Sequence, residues 1–305
     1  GIQTLRGIEV VAWTNEEGSR FGPGAMGSSA FVDPSCLPAY RASVDSNQVT
    51  FGAALDAALA QAADVRRRPL QQPMSAYVEL HIEQGPVLER AHVPLGVVSG
   101  IQSVRWYRVE CIGMAAHAGT TPMDERADAM AAAIGMAHQL YAHAASEAAS
   151  QLRLTLGRWQ VTPNSVNTIP GKVEFTIDVR CVDEAVLARF EKILRDMSQA
   201  WPWRGSIQFE CFFQRPPTIF PSAMLELVEQ ACARASRQAA LAAPLRLTSG
   251  AFHDAMYLAE HCPTAMIFVP SKGGISHNAA EATDAHELYL GAQALAYTVT
   301  ALANQ

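Results

Sequence analysis

Lys172-Val173-Glu174-Phe175-Thr176-Ile177-Asp178-Val179-Arg180-Cys181 alternates apolar and polar side chains. Successive residues of an extended chain point to opposite sides, so Val173, Phe175, Ile177, Val179 and Cys181 make one face and Glu174, Thr176, Asp178 and Arg180 the other. This is a strand with one face covered and one left open. Upstream, Thr162 to Gly171 (TPNSVNTIPG) is a loop and Leu152 to Val161 a strand. Before that, Thr121 as N-cap, Pro122 at the first position and Asp124 and Glu125 in the first turn open an alanine-rich helix that runs to about Ala148. Ser103 to Ile112 is a further strand, followed by the loop Gly113 to Gly119. Downstream come a helix at Glu184 to Ala200 and a last strand at Ile207 to Gln214. The order βαββαβ is that of a ferredoxin-like sandwich, with two helices on one face of a four-stranded sheet. Such a module, over residues 100–215, can serve as a lid or a dimerisation platform. Arg180 then points from the open face, where its planar fork can take a carboxylate or simply be solvated.

The flanking segments, 1–99 and 216–305, read in a different style. Ile8 to Trp13 (IEVVAW) has the composition of a buried strand, Phe51 to Ala63 is helical, and Ser75 to Gly85 (SAYVELHIEQG) alternates again. There Ala76, Val78, Leu80 and Ile82 share one face, and Tyr77, Glu79, His81 and Glu83 the other. After residue 216 a helix at Ser222 to Ala240 leads to Leu245 to Thr248. Ser249-Gly250-Ala251-Phe252-His253-Asp254-Ala255 opens another helix, and Ala265 to Val269 (AMIFV) is a continuous apolar run of the kind found in a buried strand. The segment after residue 216 thus returns to the α/β style of the beginning, with the module over 100–215 between the two.

With 305 residues, of which 49% are hydrophobic, the chain can build two cores. A net charge of −6 argues against a nucleic-acid surface or a polybasic membrane patch, and no apolar run is long enough to span a bilayer. Small molecules or a second copy are the expected partners. Six cysteines without CxxC spacing predict reduced, buried thiols and a cytoplasmic protein.

Chemistry concentrates at Thr14 to Phe21 (TNEEGSRF), where two carboxylates meet a glycine after the apolar run. Glu16 and Glu17 face one point only if the chain bends at Gly18. One carboxylate can then ligate a metal while the other takes a proton from water, although a glutamate pair after a strand is also commonly a solvated loop. The segment Gly22 to Ser29 reads as a turn-rich loop without a dinucleotide or P-loop pattern. His81 stands on a polar strand face that is either wet or partnered. His277 stands in a glycine-rich loop (PSKGGISHN) at a strand end, where sites in α/β sheets collect.

NEEGSRF, ELHIEQG, AAHAGTTPM, PNSVNTIPG with DVRC, SGAFHDA and GGISHNAAE occur here in the order that resembles the hydantoinase/carbamoylase amidohydrolases of the aminoacylase-like di-metal superfamily. The resemblance covers nearly the whole chain. It implies an aminopeptidase-like catalytic domain with an inserted ferredoxin-like lid, and a homodimer through residues 100–215. It further implies two divalent ions (Zn, Mn, Co or Ni) held by Glu17, His81 and His277, with Glu16 as general base. Asn167 and Arg180 would then grip a substrate carboxylate and His117 the carbonyl oxygen, reaching over from a partner subunit, while Gln84 and the Gly250-Ala251 backbone contact the substrate. The implied reaction is hydrolysis of a linear carbamoyl or ureido C–N bond, foremost that of an N-carbamoyl-L-amino acid to the amino acid, ammonia and carbon dioxide. Allantoate amidohydrolase and β-ureidopropionase are the enzyme alternatives, and a metal-poor homologue used for dimerisation or ligand binding is the alternative of another class. In that family a His-x-Asp segment upstream of the opening strand supplies one more His and a bridging Asp, so the chain as written is expected to bind metal incompletely and to be inactive. Phe252 and Ser103 stand where the family pattern has glycine.

Overall fold

A computed structural model describes residues 3–147 and 152–305. In chain order the elements are α1 (Met26–Val32), α2 (Leu37–Ala42), α3 (Phe51–Gln61), β1 (Tyr77–Ile82), α4 (Val87–Ala91), β2 (Gly96–Ile101), β3 (Ser103–Ile112), β4 (Ala116–His117), α5 (Ala129–Ser146) and β5 (Arg153–Thr162). They continue with β6 (Thr168–Ile169), β7 (Lys172–Cys181), α6 (Glu184–Ala200), β8 (Ser206–Arg215), β9 (Thr218–Ile219), α7 (Ser222–Gln238), β10 (Leu245–Ser249), α8 (Ala255–Leu258), β11 (Thr264–Val269) and α9 (Ala285–Leu302). The chain divides into two compact units: one from residues up to Ile101 together with those from Thr218 onward, the other Gln102–Pro217.

In the Gln102–Pro217 unit the sheet order is β5-β7-β3-β8, all antiparallel. Numbered along the chain within the unit this is 2-3-1-4, the order of a ferredoxin-like sandwich. The alternation of Lys172 to Cys181 is realised residue for residue: Val173, Phe175, Ile177, Val179 and Cys181 are buried while their neighbours are half-buried. They pack with Ala132, Met136 and Leu140 of α5 and with Leu187, Phe190 and Leu194 of α6, so both helices cover one face. The other face carries charge pairs between strands, Lys172 with Glu110 and Arg108 with Glu174 and Glu210.

The start of α5 differs from the sequence expectation. Met123–Glu125 is a short 3-10 turn, and the helix begins at Ala129 with Asp128 as its cap, its Oδ1 accepting from the N–H groups of Met130 and Ala131. Arg126 causes the offset: it donates to the carbonyls of Ala118 and Thr121, which ties the intervening chain to the preceding loop and holds Arg126 itself extended. The expected helix end near Ala148 lies outside the described residues. Asp128→Ala removes the real cap and should cost about 1 kcal/mol of stability, whereas Thr121→Ala should leave it nearly unchanged; urea unfolding compares the two.

In the other unit β1, β11, β2 and β10 form a mixed sheet in that order, with β9 on the end of β2. β1 runs parallel to β11 and β2 parallel to β10, whereas β11 and β2 are antiparallel. Thr264–Val269 is buried throughout, as its continuous apolar run requires. Helices α7 and α9 pack together and onto the sheet. Three expectations change here. Ile8 to Trp13 is not a strand: it pairs with none of the described strands, and Ile8 and Val10 are 50% and 98% exposed. Its β-branched composition suits a sheet, but a strand exists only with a neighbour to bond, and here Trp13 instead hangs on Tyr77 and Phe31. Second, the turn-rich segment 22–29 ends in a helix, for Met26–Val32 is α1 and Ser28 and Ser29 are buried. Third, the thiols are free, yet Cys211 is exposed and Cys36 half-buried, so only Cys111, Cys181, Cys232 and Cys262 are interior. Among the described residues no helix is long and apolar enough to cross a membrane.

Candidate active site

The glutamate pair sits in a closed turn. Gly18 has φ +65°, and a Cβ there would come within 2.7 Å of the Gly24 backbone, so glycine is needed for the chain to fold back. Asn15, also at positive φ, donates its side-chain amide to the carbonyls of Phe21 (2.8 Å) and Pro23 (3.0 Å), and Ala25 N–H donates to Glu16 O. The bend at Gly18 that the two carboxylates require is therefore present.

It brings them to residues far along the chain. His277 Nε2 lies 3.7 Å from Glu17 Oε2, with both side chains mostly open to solvent. Glu16 is held above the usual carboxylate range, first by burial, then by the charges of Asp254 and Glu17, with His277 acting in the opposite direction. His81 shares this field, since its imidazole acts on both Asp254 and Glu281. Its Nδ1 stands 2.8 Å from the carbonyl of Ile82; the tautomer that donates this bond leaves Nε2 with a lone pair for a metal.

Beneath His81 lies a cluster that sequence reasoning missed. His253 is 1% exposed, stands edge-on to His81 with centroids 4.6 Å apart, and bonds Ser249 Oγ at 2.8 Å. Burial pushes its imidazole down to about 3, with the nearby His81 adding to the shift. Glu79 accepts from Tyr77 Oη and from Ala255 N–H, both at 3.0 Å, and burial pushes its carboxyl up to about 7. Asp254 accepts from buried Ser28. The signals were in view: Glu79 shares the strand face of His81, and His253-Asp254 lies inside SGAFHDA. The fourth polar residue of that face, Glu83, has a structural job, capping α4 through the N–H groups of Val87 and Leu88.

Other predicted contacts are occupied within the protein. Gln84 donates its side-chain amide to Ser276 Oγ (3.0 Å) and its N–H to Ser271 Oγ (3.0 Å). Ala251 N–H is turned to Ser249 Oγ (3.1 Å), beside Gly250. Phe252 packs edge-on against Tyr257, and Ser103 donates to the Arg215 carbonyl, so each residue that replaces an expected glycine has a local partner.

In the Gln102–Pro217 unit His117 ends β4, paired with Thr168 of β6, and Asn167 immediately precedes β6, where its carbonyl accepts from Ala118 N–H. His117 Nδ1 accepts from Gly119 N–H at 3.0 Å, so a neutral ring carries its proton on Nε2 as a donor. Asn167 Oδ1 accepts from Ser165. Arg180 is elsewhere. It lies eight residues along β7 from Lys172, about 26 Å at 3.3 Å per residue, whereas β4/β6 grows from the Ile112/Lys172 end. Its fork bonds Asp178 twice, at 2.9 and 2.8 Å. One copy of the unit thus brings His117 to Asn167 but neither to Arg180.

A carboxylate and an imidazole facing each other at Glu17 and His277, with His81 nearby, are a donor set that fits a borderline divalent cation. Among the described residues no group of three or more His, Cys, Asp or Glu stands in metal-holding geometry.

A mixed α/β sheet with carboxylates and imidazoles gathered beside it at Glu17, His81 and His277, interrupted in sequence by a second α/β unit, is consistent with an aminopeptidase-like domain. The chain belongs to peptidase family M20/M25/M40, whose model matches residues 1–301. It is 37% identical to an N-carbamoyl-L-amino acid amidohydrolase of Geobacillus stearothermophilus, over 99% of this chain and 73% of that protein. It is also 37% identical to an allantoate amidohydrolase of Escherichia coli, over 99% of this chain and 72% of that protein. Among solved structures, a hydantoinase/carbamoylase family amidase from Burkholderia multivorans matches with TM-score 0.82 and 36% identity, over 96% of this chain and 70% of that one.

Proposed function

We propose that the protein carrying this chain, together with the further His and bridging Asp of its family, is an amidohydrolase that cleaves a linear carbamoyl or ureido C–N bond, with an N-carbamoyl-L-amino acid as its foremost substrate. The observation that carries this reading is the turn at Gly18, which sets a carboxylate of raised pKa, Glu16, beside the Glu17–His277 pair. Glu17, His277 and His81 would hold divalent ions, Zn, Mn, Co or Ni. When bound, such ions supply Lewis acidity toward a carbonyl oxygen and make water more acidic. Glu16 takes the proton of the attacking water and hands it to the leaving nitrogen, which cannot depart as an amide anion. His117 donates from Nε2 to the carbonyl oxygen, and Arg180 and Asn167 orient the carboxylate. The carbamic acid released breaks down to ammonia and carbon dioxide, leaving the free amino acid. The free thiols fit a reducing cytoplasm.

Because His117 and Asn167 stand at the opposite end of β7 from Arg180, one small substrate meets all three only if two copies contribute, Arg180 from one and the other pair from the second. This is the role we give the 102–217 unit, a homodimerisation lid. His117→Ala and Arg180→Ala should each lower kcat/KM about 100-fold. Mixed and allowed to exchange, they should recover about a quarter of wild-type activity, because half the dimers are hybrids with one intact site of two. Absence of recovery from a mixture shown to contain hybrids overturns the shared site.

Two relatives of equal identity act on different substrates, so the decisive assay is ammonia release from N-carbamoyl-L-amino acids, N-carbamoyl-β-alanine and allantoate, each with added Mn²⁺, Co²⁺ or Zn²⁺. The highest kcat/KM should fall on an N-carbamoyl-L-amino acid; a preference for allantoate overturns the foremost substrate but not the bond class.

A further inference from the structure

His277 presents a physical problem that the reaction chemistry does not address. Its side chain is 74% exposed, so packing does not orient the ring, and its backbone lies at φ +54°, a region that non-glycine residues adopt at a cost. Such a conformation persists where the surroundings over-determine it. Here the surroundings are one carboxylate. Glu281 Oε2 accepts from His277 N–H at 3.1 Å and from Ser276 Oγ at 2.8 Å, closing the loop from below. Ser276 Oγ in turn accepts from the Gln84 side chain at 3.0 Å, and Gln84, at φ +55°, is anchored by its own N–H on Ser271 Oγ. The return leg is fixed by Ala280 N–H on Asn278 Oδ1 and Glu281 N–H on Asn278 O. These bonds lie between the end of β1 and the loop after β11, neighbouring strands, so the network ties the His277 loop to the strand that carries His81.

We propose that Glu281, with Ser276 and Gln84, is the positioning group that holds His277 in its left-handed conformation and aims Nε2 at Glu17; this rests on the reading of His277 as a metal ligand. It gives Gln84 a task other than substrate contact. Both bonds go to the same oxygen of Glu281, so the group works as a shaped acceptor. A glutamine at 281, whose single carbonyl oxygen can accept both bonds, should serve nearly as well.

The test is Zn²⁺ affinity of the full-length protein, measured by competition with a chromophoric chelator, for wild type, His277→Ala, Glu281→Ala and Glu281→Gln, with thermal melting as a check on folding. Glu281→Ala should weaken binding about 10- to 100-fold, the range for losing a group that orients a ligand. Glu281→Gln should stay within about threefold of wild type. The double variant His277→Ala/Glu281→Ala should bind no more weakly than His277→Ala alone, since the two act as one unit. If His277→Ala weakens binding but Glu281→Ala does not, or if Glu281→Gln loses as much as Glu281→Ala, the positioning role is overturned. If His277→Ala itself leaves Zn²⁺ affinity unchanged, the ligand reading beneath it falls instead.

Discussion

Glu16→Gln should lower kcat by about 10²- to 10⁴-fold while Zn²⁺ affinity stays within a few-fold of wild type. The substitution keeps the size and polarity of the side chain and removes its capacity to accept a proton. Glu16 is suited to that task because burial, Asp254 and Glu17 all disfavour its charged form. Glu17, one residue on, is turned to His277 and should behave in the opposite way: Glu17→Gln should weaken metal binding, and activity should fall with it. The pair separates base from ligand. Steady-state kinetics on the preferred substrate, with metal titrations of both variants, make the comparison. Equal metal loss from both would show that Glu16 is also a ligand; full activity of Glu16→Gln would remove it from the reaction.

Phe175→Ala should cost about 3–5 kcal/mol of stability, the range for emptying an aromatic site in a closed core. Phe175 is fully buried between the sheet and its two helices and stacks on Trp159, with centroids 4.7 Å apart and planes 15° from parallel. The rings cannot re-form that contact around an alanine, and strands on either side of β7 limit collapse. Thr155→Ala, at an exposed position of the neighbouring strand β5, should stay within about 0.5 kcal/mol. Urea unfolding of both variants provides the measurement. A loss below about 1 kcal/mol for Phe175→Ala would mean that the 102–217 core tolerates a cavity that close packing forbids.

The same kind of reading succeeded at Lys172 to Cys181 and failed at Ile8 to Trp13. In the first, the two faces of the strand are set by helices that belong to the same βαββαβ module and flank it in sequence, so a period of two carries the answer locally. In the second, the composition states a preference, but a strand requires a partner, and none of the described strands bonds it. The misplaced cap of α5 has a similar origin. Thr121-Pro122-Met123-Asp124-Glu125 contains the pieces of a helix start, yet Arg126 spends its donors on the carbonyls of Ala118 and Thr121, and the helix waits for Asp128.

The candidate site divides along the same line. Residue types and spacing made Glu16, Glu17, His81 and His277 candidates, each with a solvated or structural reading beside it; their joint selection came from the ordered motifs that resemble a known family. Their meeting depends on sheet order. Tyr77–Ile82 lies beside Thr264–Val269 across some 180 residues of intervening chain, and that pairing delivers His81 and the His277 loop to one end of the sheet. The Glu79–His253 cluster was recognised only in three dimensions, since sharing a strand face with His81 and lying inside SGAFHDA do not by themselves bring the two side chains within 3.6 Å of each other beneath His81. The separation of Arg180 from His117 and Asn167 is likewise a matter of strand length. The sequence alone determined which strand of the inserted module is two-sided and offered candidates for the chemistry, because alternation and side-chain type are local properties. The tertiary structure decided which of those residues share a site, because that depends on hydrogen-bonded register between segments that are distant in the chain.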